Sequence, residues 1–568
     1  MTTEAVRLTH WQDQVADKRA RQKASIPKEW LIPSVPEDTT NVIDIPQTCG
    51  LLTQRELEIT GASEVTELLG RLASAEYSAV EVTTAFYKRA IIAHQVVNCL
   101  TEIYVEKALQ WAAELDAYLK EHGKVKGPLH GLPVSLKDQI PIKELETTMG
   151  YAAWVGKYAE DDAVLVKLLL KAGAIPYVRT NLPQTIMWGE TYNNVFGRTL
   201  NPYNRRFTPG GSSGGESALI AMHGSILGIG SDIGGSIRVP AHFCGLYGFK
   251  PSSHRLPTYG VVNSLDGQES VPTAFGPLST SLSGITTLVR SILEQEPWSY
   301  CPNTVPKPWQ QDDYSLKAHG EGKKLCFGIM WDEGSVKPHP PIQRALEMTK
   351  KALEAAGHSF IEWQSLRHAE YVAVARSSFL ADGSEDYNSC LTTGEPIINS
   401  MDPSADPSDV PAFRIPRSPL SAYKVWQLNK ERKELRKALL DRWQATVSQT
   451  GTGRPIDALI CPVAPYAAVP HGRTRSSIYT IIWNTADYPS LIIPVTKVNP
   501  AIDTKPTRES FWGEEDEVVY NMYDPEAYEG LPVGIQLVGP TLQEEVVLGV
   551  GEVVNAALKA AQKQDAQD

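Results

Sequence analysis

Residues 208–252 read TPGGSSGGESALIAMHGSILGIGSDIGGSIRVPAHFCGLYGFKPS, and two serines set among glycines, Ser212 and Ser236, stand 24 positions apart within them. Glycine raises the entropy lost on folding. Its clustering inside well-patterned sequence therefore points to turns closed to side chains, or to backbone N–H groups aimed at a ligand. The apolar run after GGSSGGE predicts a helix over 217–223, ILGIG predicts a strand, and SDIGGS turns at that strand's end ahead of Pro240. Both serines fall on connections, where α/β proteins carry their chemistry.

Working outward, GLPVSLKDQI (131–140) predicts a short buried strand, and AVLVKLLLKAGA followed by IPYVRTN predicts a helix stopped at Gly173 and another strand. LCFGIM, a helix over 342–356 and HSFIEW repeat the alternation; ALICPVAP, SLIIPVT and VGIQLVG add further buried strands. Alternation of this kind predicts an α/β sheet. Upstream, Ala108, Ala112, Leu115 and Leu119 recur at helical spacing, and 424–443 forms a charged helix. Beyond Pro251 the pattern is faint until LCFGIM. Residues 1–50 read as a polar helix and a proline-punctuated arm, 561–568 as a polar tail, and the proline-rich 392–419 as a surface excursion.

The bulk properties narrow the function classes. With 568 residues, 42% hydrophobic and 21% charged, the chain is that of a soluble globular protein with ample length for a core. A net charge of −12 and the lack of a Lys/Arg cluster argue against nucleic acid as a partner. The seven cysteines are scattered, never in a C-x-x-C pair, and read as reduced thiols of a cytoplasmic protein. No run of 18 apolar residues and no apolar signal core occur, so no membrane association is expected.

Lys137, at the end of the VSLK strand, completes a candidate Ser-Ser-Lys relay. A serine hydroxyl attacks an amide carbonyl at neutral pH only if its proton is accepted, and a desolvated lysine is neutral enough to accept it. In this scheme Ser236 attacks, Ser212 passes the proton to Lys137, and the N–H groups of Ile233, Gly234, Gly235 and Ser236 hold the oxyanion. A rival is the elbow Gly211-x-Ser213-x-Gly215, with Ser213 as an esterase nucleophile served by His471. The polar, proline-broken NPYNRRFTPG before it ranks this lower, because an elbow needs an apolar strand there. His223 and His242 read as packed side chains, Asp232 and Arg238 as loop-bracing residues, and neither a metal nor a cofactor is expected.

PVSLKDQ, GGSSGGE and SDIGGSIRVPA together resemble the amidase signature family, whose members hydrolyse carboxamides through a Ser-Ser-Lys triad. PLHGLPVSLKDQ, RTNLPQTIMWGETYNNVFGRTLNPYN, LEQEPWSY and YDPEAYEGLPVGIQLVG look like the fungal acetamidases, and the resemblance runs from about Lys18 almost to the C-terminus. It implies one large domain over 51–560, a mixed central β-sheet covered by helices on both sides, with a variable region at about 281–440 shaping substrate access. It also implies Ser236 as the acyl-forming nucleophile, Lys137 as the base, Ser212 as the bridge after a cis Gly211–Ser212 peptide, and Ile186 and Met187 on the acyl pocket wall. A small-molecule amide is then the partner, with a homodimer as a family-level expectation. Two other functions carry the same motifs: an ammonia-delivering amidotransferase subunit, which the acidic balance disfavours, and a non-catalytic binding protein on this scaffold, which the occupied triad disfavours.

Overall fold

The structure is a computed structural model that describes residues 10–405, 418–475 and 478–565. Its strands are β1 (Leu100–Ile103), β2 (Pro133–Lys137), β3 (Ile175–Thr180), β4 (Tyr192–Asn193), β5 (Gly197–Arg198), β6 (Leu227–Asp232), β7 (Tyr247–Lys250), β8 (Ala274–Ser279), β9 (Cys326–Ile329), β10 (Ser359–Glu362), β11 (Ala458–Pro462), β12 (Ser490–Lys497) and β13 (Pro532–Val538). Eleven of them form one sheet in the order β1-β3-β2-β6-β8-β7-β12-β13-β11-β9-β10, and β4 pairs only with β5. The sheet is mixed. β2 runs parallel to β3 and β6, and β9 to β10 and β11, whereas β8, β7, β12 and β13 join the two halves by antiparallel pairings.

The central strands β2, β3, β6, β7, β8, β11 and β13 are buried along their whole length, which is why β2, β11 and β13 read as largely apolar runs rather than alternating ones. Helices supply the covering layers; Val82, Phe86 and Ile91 of Ala79–Val97, and Leu346 and Leu353 of Pro340–Ala355, lie in one continuous core with the strands. No described helix is long and apolar enough to cross a membrane. The fold is a single α/β domain.

Two departures from the sequence pattern have local causes. β8 and the helix Leu282–Leu293 fall in the stretch where the pattern is faint, because β8 reads AFGPLS and carries Pro277 opposite Ile229 in the middle of the sheet. The helix after GGSSGGE begins at Gly214, three residues before the apolar run. Residues 406–417 of the proline-rich segment, and 566–568 of the tail, lie outside the described residues.

The N-terminal helix Trp11–Ala24 is fastened by a buried contact: Lys18 ion-pairs with Glu102 and Glu146, and Arg21 adds a pair to Glu146 at 2.7 Å. Burial pushes the Glu146 carboxyl up, but the hydrogen bonds from Arg21 and Lys18 outweigh it and hold it at about 2. Removing the Lys18 cation leaves the Glu102 carboxylate without its ion-pair partner, while Glu146 keeps Arg21. Lys18→Met is accordingly expected to cost about 3 kcal/mol, seen as a lower thermal midpoint and as faster proteolysis within 10–24.

Candidate active site

Residues alternate across β2, so Ser135 and Lys137 share the face on which the helix Gly214–Ala221 packs, and Leu136 takes the other. Two contacts follow from that register. Ser135 Oγ donates to Glu216 Oε2 at 2.6 Å, and two residues along, Lys137 Nζ donates to Ser212 Oγ, just before the helix starts, at 2.6 Å. The helix approaches closely because Gly215 lies against the backbone of Asn181, where a Cβ would stand 2.4 Å from the amide nitrogen. The Gly211–Ser212 peptide is cis.

Lys137 is fully buried. Its second partner is Ser231 Oγ at 2.8 Å, and the polarity of that contact can be traced. Gln139 Nε2 donates to the carbonyl of Val262 at 3.0 Å, which turns Gln139 Oε1 toward Ser231, whose hydroxyl donates to it at 2.6 Å. The Ser231 oxygen is thus left only to accept from the amine. Burial drives the Lys137 amine down to about 7, although the charges of Asp232 and Glu216 pull the other way. Glu216 makes no ion pair among the described residues; Thr180 and Ser135 hydroxyls bind it, and burial raises its carboxyl to about 7 against those two bonds.

Ser236 ends the turn after β6, and its carbonyl accepts from Ser213 N–H at 3.2 Å, so the two glycine loops meet. No hydrogen bond joins the Ser212 and Ser236 hydroxyls among the described residues. The turn is braced by Asp232, which accepts from Gly235 and Ile237 N–H and from Arg238 Nε at 2.9 Å. Burial works against the Asp232 charge, but Arg238 wins and holds the carboxyl well below the usual range. Arg238 also reaches the Thr480 carbonyl, Asn484 and Gln536, binding the turn to the far half of the sheet. The expected set of oxyanion donors narrows accordingly. Gly235 N–H is committed to Asp232 at 2.8 Å, whereas the N–H groups of Ile233, Gly234 and Ser236 have no acceptor among the described residues. Gly235 sits at φ +136 with Thr480 Oγ1 2.4 Å from where a Cβ would be, so its glycine serves the turn.

In front of Ser236 lies a cavity of about 320 Å³ lined by Ile186, Met187, Gly211, Ile233, Gly234 and Gly235, with Phe379, Met401 and Ile481 opposite. All the binding residues drawn from sequence therefore border one space with Ser236. Larger cavities of about 690 and 590 Å³ flank the helix Ala422–Ala445 and contain none of the relay residues.

The elbow reading is not favoured by the geometry. Ser213 is buried with its hydroxyl against the Ser231 carbonyl at 3.3 Å, and the His471 ring faces the Arg205 carbonyl at 3.0 Å. Residues 201–210 form no named strand ahead of Ser213. His242 is packed between the Tyr466 carbonyl and Gly534 N–H, and burial lowers it to about 4. Among the described residues no cluster of His, Cys, Asp or Glu is suited to a metal. Ser231, Gln139 and Glu216 are the functional neighbours that sequence reasoning missed; all three stand inside the quoted motifs, but nothing in their spacing shows where their side chains point.

A family model described as amidase matches residues 81–548. The chain is 42% identical to an acetamidase of Aspergillus oryzae over 96% of this chain and 99% of that one, and 40% identical to an acetamidase of Emericella nidulans over 96% and 98%. Among solved structures it resembles a fatty acid amide hydrolase with a TM-score of 0.87 and 32% identity, covering 96% of this chain and 95% of that one. With the family match spanning most of the sequence, the chain belongs to the amidase family and is a hydrolase of amide C–N bonds.

Proposed function

We propose that Ser236 attacks the amide carbonyl, that Ser212 carries its proton to Lys137, and that the substrates are short aliphatic amides like those implied by the resemblance to acetamidases. The observation that carries this reading is the 2.6 Å contact between Lys137 Nζ and Ser212 Oγ inside a fully buried site. In its neutral form the amine gives one hydrogen to Ser231, and its lone pair is free to accept from Ser212.

The steps balance as acid–base chemistry. The Ser236 hydroxyl turns toward Ser212; its proton moves to Ser212 as the Ser212 proton moves to Lys137, and the Ser236 oxygen bonds to the carbonyl carbon. The oxyanion is held by Ile233, Gly234 and Ser236 N–H, each such donor being worth about 2.7–4 kcal/mol in the transition state. As the C–N bond breaks, the proton returns through Ser212 to the nitrogen and ammonia leaves. Water, deprotonated along the same route, then attacks the acyl carbon; as the C–O bond to Ser236 breaks, that proton returns through Ser212 to the Ser236 oxygen, and the acid leaves and ionises to the carboxylate.

The variable region at about 281–440 shapes access in this reading, since Arg376, Phe379 and Asn399 to Met401 border the cavity. A cytoplasmic setting accords with seven cysteines that are all free thiols.

Ser236→Ala is expected to lower amide hydrolysis at least ~10³-fold and to abolish labelling by a fluorophosphonate, whereas His471→Ala still labels. Labelling that survives in Ser236→Ala and is lost in Ser213→Ala would return the nucleophile to the elbow. The relay needs Lys137 unprotonated, so kcat/KM should fall about tenfold per unit as pH drops below about 7. A profile flat down to pH 5 would exclude a lysine base.

A further inference from the structure

The cavity before Ser236 carries a charge pattern that hydrolysis of a neutral amide does not use. Arg376, near the end of the helix His368–Phe379, and Arg475, just before the helix Ile478–Ala486, both line it. Both side chains are exposed, and neither guanidinium has an ion pair or a hydrogen bond among the described residues. Nearby arginines differ: Arg367 is forked onto Glu370, and Arg198 faces Glu190. Glu190, the carboxylate that also borders the cavity, is occupied by the N–H groups of Gly472 and Thr474 and by Arg198. Arg475 is anchored through its backbone N–H to the Tyr466 hydroxyl at 3.1 Å.

Two guanidinium groups without a hydrogen-bonded carboxylate partner at one cavity give it a local positive field that favours an anionic ligand, on a chain of net charge −12. The lining mixes the apolar Ile186, Met187, Phe379, Met401 and Ile481 with polar groups such as Asn399, Ser400 and Thr474. By burial the nucleophile Ser236 is half-buried and the two arginines are exposed, which sets the guanidinium groups on the solvent side of the space. A guanidinium matches a carboxylate through two parallel N–H bonds, a geometry that a neutral methyl end cannot exploit.

We propose that the preferred substrate is a primary amide whose aliphatic acyl chain ends in a carboxylate, a monoamide of a dicarboxylic acid, with Arg376 and Arg475 holding the far end. The inference rests on the assignment of Ser236 as the amide-cleaving nucleophile. A contact remote from the carbonyl is made in ground and transition states alike, so it acts mainly on KM.

The test is ammonia release from ω-carboxyl amides of three to six carbons, malonamate to adipamate, against uncharged alkanamides of matched length. At the best-fitting length kcat/KM should exceed that of the neutral partner at least tenfold, chiefly through KM, and raising salt from 0.05 to 0.5 M should shrink the ratio. Arg376→Ala with Arg475→Ala should bring the ratio close to one, and the double lysine variant should restore part of it. Equal or better turnover of the neutral amides at every length overturns the subsite and leaves the amidase assignment standing. Preference for N-acetylglycine, followed by glycine release and with the same dependence on the arginines, moves the anion to the amine side and also overturns it. If neither series yields ammonia, Ser236 chemistry and the subsite fall together.

Discussion

A primary amine enclosed by protein, with hydroxyl groups instead of a carboxylate as its hydrogen-bond partners, is the constraint around which this site is arranged. An ammonium there would have three N–H donors and, among the described residues, two acceptors. Desolvation lowers the proton affinity of the amine into the neutral range. The nearby carboxylates are diverted. Asp232 is consumed by Arg238 and by the N–H groups of its own turn, and Glu216 by Ser135 and Thr180. Had either carboxylate paired directly with Lys137, the lysine would stay charged and be useless as a base.

The same diversion ties chemistry to architecture. Arg238 is fully buried and makes bonds to Asp232, Asn484, Gln536 and the Thr480 carbonyl, so one guanidinium spans the β6 turn, the helix Ile478–Ala486 and β13. A buried pair of this kind adds little net stability, but its loss leaves charges without partners, so its consequence is geometric definition. It fixes the loop that presents Ser236 against strands more than two hundred residues away in sequence. The antiparallel strands β8, β7, β12 and β13, which join the parallel halves of the sheet, make that connection short.

Much of this was legible in the amino-acid sequence, for reasons that differ from element to element. β2, β11 and β13 show because fully buried strands leave largely apolar runs, and the glycine loops show because glycine is scarce in such runs. β8 does not show, since Gly276 and Pro277 sit in its middle and its neighbours on both sides compensate. Ser231 and Gln139 could not be found by spacing: their roles depend on which way two short side chains turn, and Gln139 is oriented by a carbonyl 123 positions away at Val262. Gly235 was assigned to the oxyanion because it lies in the right loop. Its N–H is directed by Asp232, a side-chain preference that a motif does not record.

The division of labour between strands and loops sets the proposed relay apart from most of the cavity wall. Lys137, Ser231 and Asp232 stand at strand ends, and Ser212 and Ser236 on turns locked to them. The rest of the cavity wall comes from elsewhere: the 186–190 segment, the end of the helix His368–Phe379, residues 399–401, residues between 464 and 475, and Ile481. None of Arg376, Phe379 or Arg475 donates to or accepts from a relay residue by its side chain among the described residues. A change of charge or bulk on those segments alters what fits without touching the hydrogen bonds of Lys137, which run to Ser212 and Ser231. Substrate choice and proton transfer are thus separable in this fold, and the rim is where differences among its relatives have physical room to arise.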